Sequence, residues 1–394
     1  MRQYEKTHPW LTFTLDTRSL DFSVWILLGE AQSKCEHIAG VPLRPNVAEE
    51  LHRVYLAKGV LATTAIEGNT LTESEVLQHL AGKLKLPPSK DYLTQEIDNI
   101  IEACGLVADQ IILRDEYEIT LDKIKTYNKL VLKGLSLNED VVPGEIRQFS
   151  VGVGSYRAAP AEDCEYLIGK LCEWLNGTKL PPENRMAFGI IKAIVAHLYF
   201  VWIHPFGDGN GRTARLIEFQ ALLELGIPSP AAHLLSNHYN QTRSEYYRQL
   251  DMTSKTNGDM SHFIKYALHG FVDQLRSQID IIRDQQWDVA WRNFVHEKFK
   301  DESSESATRQ RYLALDLSKY NEPVRLSKIP EISPRLAAAY ATKTRKTLSR
   351  DINKLRIMGL VRVTKKGILA NCEIILAFLP SRRFVDQDNL EVRD

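Results

Sequence analysis

The sequence predicts an all-α protein that carries one short β-hairpin and ends in a small, basic helix-and-hairpin domain. Three observations lead to this fold class. Apolar residues recur with helical spacing between capping residues over most of the 394 positions. The stretch 143–163 instead alternates β-branched and small residues, as hairpins do. Positions 335–366 hold ten basic residues and one acidic residue, which sets the end of the chain apart.

Composition bounds the class of protein. The 50 basic and 50 acidic residues cancel, so the average charge indicates no charged partner. The 5 cysteines are scattered and form no C-x-x-C pair, which predicts buried thiols in a reducing compartment. The first residues contain no apolar signal segment. We therefore expect a cytoplasmic protein without a membrane anchor.

The N-terminal part reads as a series of helices. One helix is predicted over 23–38, and a second begins at Asn46 as its cap and ends at Glu67, with Gly68 as C-cap. Further helices are predicted from the Thr/Ser cap near residue 72, from Ser89 and from Thr120. A carboxylate at the C-terminal end of a helix is disfavoured by the helix dipole. Glu67 therefore needs a partner or a purpose, unless it is an ordinary exposed glutamate.

The hairpin stretch contains Phe149, Val151 and Val153 in alternation with smaller residues. In an otherwise helical protein, such a hairpin is either a surface decoration or an edge to which another chain docks.

The residues 204–215, HPFGDGNGRTAR, are far more polar and glycine-rich than the sequence on either side, and they separate two apolar helices. Gly207, Gly209 and Gly211 allow successive N–H groups to face one concavity at a helix N-terminus, where a polyphosphate fits. Arg212 and Arg215 are three residues apart and share a helix face, so both can contact phosphate oxygens.

Two further groups in this stretch have a chemistry of their own. Asp208 supplies a hard oxygen ligand of the kind that phosphate-bound Mg²⁺ takes. His204 can accept a proton near neutral pH from a hydroxyl nucleophile. Each residue alone is more often structural, but the full set at this spacing favours a nucleotide site. The G-x-x-x-x-G-K-[ST] spacing of a P-loop is absent from the sequence.

This string matches the signature H-x-F-x-[DE]-G-N-G-R-x-x-R of the Fic family, and the similarity extends over about residues 10–275. The resemblance implies a helical enzyme that moves AMP from ATP onto a hydroxyl side chain of a protein. It also implies a division into an N-terminal helical region with an inhibitory helix, a catalytic core, a connecting helix and a winged helix domain. These would span residues 1–110, 111–275, 276–300 and 301–394.

The resemblance also assigns roles within the stretch. His204 would be the base that deprotonates a Ser, Thr or Tyr hydroxyl, and Asp208 would hold Mg²⁺ on the phosphates. Arg212 would bind the β-phosphate and Arg215 the γ-phosphate. The remaining members of the predicted ATP site, of which Phe206 is a buried anchor, are Glu67, Phe206, Gly207, Gly209, Asn210, Gly211 and Tyr246.

Upstream, the segment 63–68 resembles the inhibitory motif [ST]-x-x-x-E-[GN] of Fic proteins. The resemblance implies that Glu67 pairs with Arg215 and occupies the arginine that would otherwise hold the γ-phosphate. The hairpin would be the flap whose edge holds the target, with the residues Phe149, Ser150, Val151, Gly152, Val153 and Gly154.

Three further positions within the predicted core carry alternatives. Tyr246 would line the adenine pocket, although paired tyrosines usually pack. Some relatives carry an asparagine eight residues further on, where this chain has Ser254. His197, on an apolar helix face, is predicted to be a core histidine.

The basic window at the C-terminus reads as a helix to Met358, a stop at Gly359, and two strands around a Lys365–Lys366 turn. This order resembles the winged helix domains found in many Fic proteins, which bind DNA or make protein and homodimer contacts. A phosphate-facing surface is predicted from Arg345, Lys346, Arg350, Lys354 and Lys365.

Three functions therefore remain open from the sequence. The first is AMP transfer to a protein target or to the chain itself. The second is removal of AMP at the same site, with Glu67 orienting a water. The third is an ATP-sensing regulator that binds DNA.

Overall fold

The structure is a computed structural model that describes residues 1–14, 16–113, 118–154 and 156–375. The chain divides into two compact units, Met1–Ile279 and Asp280–Asp394. The predicted helical fold class is confirmed. The predicted domain 301–394 is described only as far as Ile375, and its remainder lies outside the described residues.

Helices make up most of the first unit. In chain order they are α1 (Tyr4–Thr7), α2 (Phe22–Gly40), α3 (Pro45–Ala65), α4 (Glu73–Leu80), α5 (Asp91–Ile112), α6 (Leu121–Val131), α7 (Ala161–Gly177), α8 (Arg185–Ile203), α9 (Asn210–Glu224), α10 (Ser229–Ala232), α11 (Leu234–Gln241), α12 (Arg243–Lys255) and α13 (Ser261–Lys298). Short 3-10 turns at Pro88–Lys90 and Pro182–Asn184 precede α5 and α8. The last helix, α13, begins in the first unit and ends in the second.

Local capping signals determine where these helices begin. At α4, Thr72 and Glu75 form a reciprocal capping box, as the sequence indicates. The start of α3 differs from the prediction, which placed the cap at Asn46. Arg44 is the N-cap and Pro45 occupies the first turn, because the fixed φ of proline suits that position and its missing N–H needs no partner.

The end of α3 also differs from the prediction. The helix ends at Ala65, and Glu67 lies in the following turn, where its N–H donates to the Thr64 carbonyl at 3.0 Å. Gly68 has a φ of 113°, a value that glycine adopts without the strain of a side chain. The turn therefore presents Glu67 beyond the end of the helix.

Helix α8 is the central helix of the first unit. The segment Pro182–Ile203 is long and apolar enough to cross a membrane by composition alone, and 78% of its window is buried inside the protein. Helix α9 packs against α8 so closely that a Cβ at Gly189 would overlap the Leu225 side chain. The two helices hold the loop between them from both ends.

The predicted hairpin is present but shorter than its sequence pattern indicates. Strand β1 (Gly152–Val153) pairs antiparallel with β2 (Tyr156–Arg157). Phe149 and Val151 lie before the first strand, although the Val151 carbonyl still accepts from a later backbone N–H. Gly154 begins the reversal with a φ of 59°. Glycines within so short a strand leave few side chains to stabilise it.

In the second unit, the end of α13 is followed by three further helices and a hairpin. Its elements are α14 (Glu305–Leu317), a 3-10 segment (Leu326–Glu331), α15 (Pro334–Tyr340), α16 (Arg345–Ile357), β3 (Val361–Thr364), β4 (Gly367–Ala370) and a final 3-10 turn (Cys372–Ile375). Strands β3 and β4 are antiparallel, and Val324 pairs with Ile368 on the other edge of β4. Gly359 separates helix from strand with a φ of 75°, in the predicted order.

The polar segment 301–307, at the start of the predicted domain 301–394, is partly helical. Ser304 caps α14 by accepting from the Ala307 N–H at 3.2 Å, so helix begins at Glu305. A serine one residue before a run of helix formers is itself a start signal.

The single acid of the basic window is structural. The Asp351 carboxylate is 3% exposed and accepts from Arg309, Gln310 and Tyr340. These bonds join α16 to α14 and α15, which leaves the other charges of α16 without a neighbouring acid on their own helix.

Candidate active site

The loop between α8 and α9 is shaped by two residues in left-handed conformation. His204 has φ 49° and ψ 60°, and Gly209, the N-cap of α9, has φ 74°. A non-glycine residue rarely adopts this region, and such strain concentrates at functional sites. A Cβ at Gly209 would approach Asn128 and Leu132 to about 3.0–3.1 Å. Glycine is therefore needed there for both conformation and space.

Asn210 closes this loop with its side chain. Its Oδ1 accepts from the Phe206 N–H at 2.9 Å and its Nδ2 donates to the Phe206 carbonyl at 2.8 Å. Phe206 is 1% exposed and pairs through its backbone with Ile146. The buried anchor predicted at Phe206 is thus present, and the Asn210 side chain closes the loop at the first residue of α9.

Arg147, which the sequence does not single out, holds the backbone of His204. Its guanidinium is buried and donates to the carbonyls of His204 at 2.7 Å, Phe149 at 2.6 Å and Ala159 at 2.6 Å. All of these acceptors are neutral backbone groups. One side chain therefore connects the backbone of His204 to both ends of the hairpin segment.

Asn128 has the corresponding role for Asp208. This fully buried residue on α6 donates to the Asp208 carbonyl at 2.9 Å and accepts from the Gly144 N–H at 2.9 Å. The Asp208 backbone is therefore held by α6, while its carboxylate remains about half exposed.

The imidazole of His204 is neutral at neutral pH. Burial lowers its pKa to about 4, and the Arg147 guanidinium acts in the same direction against a hydrogen bond to Val201. Nδ1 lies 3.3 Å from the Val201 carbonyl, which can only accept, so Nδ1 carries the proton. Nε2 is therefore the basic nitrogen, as a general base requires.

Glu67 and Arg215 form the predicted ion pair. Arg215 NH2 lies 2.6 Å from Glu67 Oε1, and the guanidinium also donates to the Thr63 hydroxyl at 3.0 Å and the Thr63 carbonyl at 2.9 Å. Burial alone would raise the pKa of Glu67, but Arg215 lowers it below its ordinary value. Arg215 NH1 is buried and, among the described residues, has no hydrogen-bond partner.

Gly211 provides the space for this carboxylate. A Cβ at Gly211 would overlap Glu67 Oε1 and would lie 3.1 Å from Arg215 NH1. The missing side chain on the first turn of α9 is what lets Glu67 approach.

Arg212 is held more loosely than Arg215. Its NH1 is 3.4 Å from Glu96 Oε1 and its NH2 is 3.4 Å from Asp208 Oδ1. The side chain is 5% exposed, and its Nε is buried without a hydrogen-bond partner in the part of the chain that the structure describes. Two carboxylates thus flank one guanidinium.

One cavity of about 570 Å³ lies between α9, the hairpin and the turn after α3. Its wall is formed by Glu67, Val153, Gly154, Tyr156, Val201, Trp202, His204, Gly207, Asp208, Gly209, Asn210, Gly211, Arg215, Arg243, Tyr246, Tyr247, Leu250 and Asp251. Phe206 and Arg212 are not part of this wall. Trp202, Tyr156, Arg243 and Tyr247 are wall residues that the sequence does not indicate.

Tyr246, predicted to line the adenine pocket, lies in the cavity wall. Its hydroxyl is 2.9 Å from His197 Nε2. Burial lowers the pKa of His197 to about 3, so this ring is neutral. His197 is fully buried, as predicted for a core histidine. Ser254 is not among the wall residues, and its hydroxyl donates to the Asp251 carbonyl at 2.8 Å.

The predicted flap is divided by the structure. Val153 and Gly154 line the cavity, whereas Phe149, Ser150, Val151 and Gly152 do not. A Cβ at Gly207 would come within 3.2 Å of the Phe149 ring, so the flap contacts the loop directly.

The metal question concerns Asp208. In the described part of the chain, no three His, Cys, Asp or Glu side chains cluster as a metal site. Asp208 is an exposed carboxylate at the cavity wall, which fits a cation that takes its other ligands from bound phosphates.

Comparison with known sequences agrees with the resemblance. Residues 118–222 match the Fic/DOC family. Protein adenylyltransferase fic-1 of Caenorhabditis briggsae is 30% identical over 209 residues, which are 53% of this chain and 38% of that protein. Protein adenylyltransferase Fic of Nematostella vectensis is 30% identical over 205 residues, covering 52% and 44%. The chain spans less than half the length of these curated relatives.

Solved structures show a similar fold. A Fic family protein from Desulfovibrio desulfuricans G20 has a TM-score of 0.57 and 20% identity, with coverage of 89% of this chain and 93% of that chain. A fragment of Fic-1 from C. elegans has a TM-score of 0.54 and 22% identity, with coverage of 66% and 73%.

Proposed function

We propose that this chain, whose residues 118–222 form a Fic domain, moves AMP from ATP onto a hydroxyl side chain of a protein. The observation that carries the proposal is that the neutral His204, Arg215 and the hairpin residues Val153 and Gly154 line one cavity. These are a base, an anion contact and an edge for a peptide. The matching relatives are named protein adenylyltransferases, which supports the same class of activity.

In the proposed reaction, the hydroxyl oxygen of a target Ser, Thr or Tyr bonds to the α-phosphorus of ATP while its proton passes to His204 Nε2. The bond from the α-phosphorus to the bridging oxygen breaks, and diphosphate leaves with the electron pair. AMP remains on the target as a phosphodiester. A neutral imidazole with Nδ1–H on the Val201 carbonyl supports this role.

The phosphates would be held by the first turn of α9. The N–H groups of Asn210 and Gly211 have no acceptor within the helix, and the helix dipole favours an anion there. Arg212 and Arg215 would contact the β- and γ-phosphates. When bound, Mg²⁺ would neutralise phosphate charge, and Asp208 is the side chain that would hold it.

We propose that Glu67 inhibits this reaction by holding Arg215. One guanidinium fork cannot serve a carboxylate and a phosphate in the same geometry. ATP can still enter through its other contacts, but with its α-phosphate misaligned. A shift of about 1 Å is enough to lower a rate on the order of a hundredfold.

The catalytic assignment is tested by His204→Ala in a Glu67→Gly background, with labelled ATP and a competent target. We expect AMP transfer to disappear while the melting temperature stays the same. His269→Ala, an exposed histidine of α13, is the matched control and should leave transfer unchanged. Full transfer by the His204 variant would overturn the assignment.

Hydrolytic removal of AMP from a modified protein is a second candidate, because Glu67 lines the same cavity as His204 and could orient a water. Incubation with an AMP-modified target separates the two directions. Release of AMP that disappears in Glu67→Gly would assign the wild-type chain to AMP removal, whereas release that persists would exclude a role for Glu67 in it.

We also propose that the second unit binds nucleic acid phosphates. The observation that favours this is a set of exposed cations on α16 and at the β3–β4 turn that pair with no acid among the described residues, namely Arg345, Lys346, Arg350, Lys365 and Lys366. Lys354, predicted to belong to this surface, is instead paired with Glu302. A groove of about 390 Å³ runs between α16 and the turn.

A mobility shift with a DNA duplex, with and without ATP, tests this second proposal. ATP-dependent binding would support an ATP-sensing regulator, and ATP-independent binding would support a separate DNA contact. Undetectable binding at low salt would indicate a protein or homodimer contact.

We propose a reducing compartment, such as the cytoplasm, as the site of action. All five cysteines are free, and four of them are buried. Burial raises the pKa of Cys104 to about 12, as in an unreactive structural thiol.

A further inference from the structure

Arg212 has two carboxylate neighbours, and only one of them has no other role in the proposed reaction. Asp208 Oδ1 and Glu96 Oε1 each lie 3.4 Å from its guanidinium, on NH2 and NH1 respectively. Asp208 is the side chain assigned to the metal in the proposed reaction, so its contact with Arg212 would be weakened when nucleotide binds. Glu96, on α5, is 16% exposed and lies outside the cavity wall.

Glu96 is itself held by a buried residue. Asn69 Nδ2 donates to Glu96 Oε2 at 2.8 Å and to the Leu93 carbonyl at 2.9 Å. Asn69 Oδ1 accepts from the Leu71 N–H at 3.0 Å. Because both ends of the amide are used by backbone groups, Asn69 cannot rotate its amide without losing two bonds. It therefore presents only a donor to Glu96.

We propose that Glu96 is a positioning residue for the transfer reaction: it fixes Arg212 for the nucleotide phosphate, and Asn69 fixes Glu96. This inference rests on the proposed function. Glu96 has one oxygen for Asn69 and one for Arg212, so the carboxylate bridges two donors. The Val131 carbonyl, 3.5 Å from Arg212 NH1, closes the same side of the guanidinium.

This arrangement requires a carboxylate. In Glu96→Gln, one oxygen remains, and the fixed donor of Asn69 would take it. The new amide nitrogen would then face Arg212, donor against donor. We therefore expect Glu96→Gln to displace Arg212 although its size and shape are retained.

The test uses the full chain in a Glu67→Gly background and measures AMP transfer over a range of Mg-ATP concentrations. Glu96→Gln should raise the KM for ATP about tenfold, the effect of one charge-assisted contact, with a small change in kcat. Glu102→Gln is the matched control, since Glu102 lies on the same helix but is exposed and pairs with Lys133. It should leave KM unchanged.

A double-mutant cycle separates positioning from a structural role. If Glu96 acts through Arg212, then Glu96→Gln should add almost nothing to the KM of Arg212→Ala. An unchanged KM in Glu96→Gln, or a loss that adds in full to that of Arg212→Ala, would overturn the inference. If Glu96→Gln does not fold, Asn69→Ala should raise KM in the same direction by a smaller factor, and an unchanged KM there would likewise overturn it.

Calorimetric titration with Mg-ATP gives a readout that does not need catalysis. Glu96→Gln should weaken binding about tenfold relative to Glu67→Gly alone, by the same charge-assisted contact. If Glu67→Gly binds ATP but transfers no AMP to any target, the proposed function fails while the role of Glu96 is still measured. If binding is equal in both variants, the role of Glu96 fails.

Discussion

At the scale of single residues, the site depends on side chains that hold backbone. His204, the proposed base, has a strained backbone, and the Arg147 guanidinium donates to its carbonyl and to those of Phe149 and Ala159. The same arginine therefore holds the backbone of His204 and both ends of the hairpin segment. Its position relative to the flap makes it a link between the two parts of the site.

Arg147→Lys tests this link. One ammonium cannot reach three carbonyls that a planar fork serves, so we expect transfer by a Glu67→Gly chain to fall about tenfold or more. Arg157→Lys, an exposed arginine of β2, is the control and should have little effect. Equal activity of the two variants would contradict the positioning role of Arg147.

The ionisation of His204 gives a second prediction. Burial places its pKa near 4, below the ordinary 6.5, so the ring should stay neutral at pH 5.5. Between these values the unfolded chain binds more protons than the folded one, and stability is lost as pH falls through that window. Histidine NMR checks this, with the His204 signal assigned by its absence in His204→Gln. A midpoint near 6.5 would contradict the buried, neutral base.

Some residues of the site could be predicted from the sequence, and others that contact them could not. The glycines, His204 and Asp208 lie close together in the sequence, so a shared site could be predicted from their spacing. Arg147, Asn128 and Glu96 lie far from the motif in sequence, and no local pattern shows which backbone groups they meet. Asn128 did carry a signal, because it is a polar residue on the apolar face of α6.

At the scale of elements, the Glu67–Arg215 ion pair depends on how the turn after α3 meets the first turn of α9. Helix ends could be predicted where a side chain caps them, as at α4. Helix ends could not be predicted where a proline or a tertiary contact determines them, as at Pro45 and Ala65. The Glu67 pairing was implied by motif resemblance, but its need for a bare Gly211 follows from the packing of the two elements.

Gly211→Ala tests this packing without any assay of activity. The new methyl group would overlap Glu67 Oε1, so the melting temperature should fall. In a Glu67→Gly background the overlap is removed, and the same substitution should lower the melting temperature by less than half as much. Gly169→Ala, on α7 with open space around it, is the control. Equal losses in both backgrounds would mean that Glu67 does not occupy this space.

At the scale of the whole molecule, a net charge of zero conceals a basic C-terminal segment. Positions 335–366 carry a net charge of +9, and the rest of the chain balances it. Any phosphate binding by this surface must weaken with salt, because each neutralised phosphate releases counterions. The positive charge of this segment could be predicted from the sequence, whereas the ion pair of Lys354 with Glu302 could be found only from the fold.

Lys346→Ala with Arg350→Ala should lower duplex affinity and reduce the salt slope by about one per lost contact. Lys328→Ala is the control, since this exposed lysine is paired with Glu331. A slope that does not change would assign the surface to a protein partner.

The account depends most on the claim that Glu67 restrains a transferase. The most direct measurement is AMP transfer from α-labelled ATP under saturating Mg-ATP, by the wild-type chain, by Glu67→Gly, and by Glu67→Gly with Arg215→Ala. We predict that Glu67→Gly raises labelling of target and of the chain itself on the order of a hundredfold. The added Arg215→Ala should lower it again. Equal labelling by wild type and Glu67→Gly, with a target known to be competent, would contradict the account.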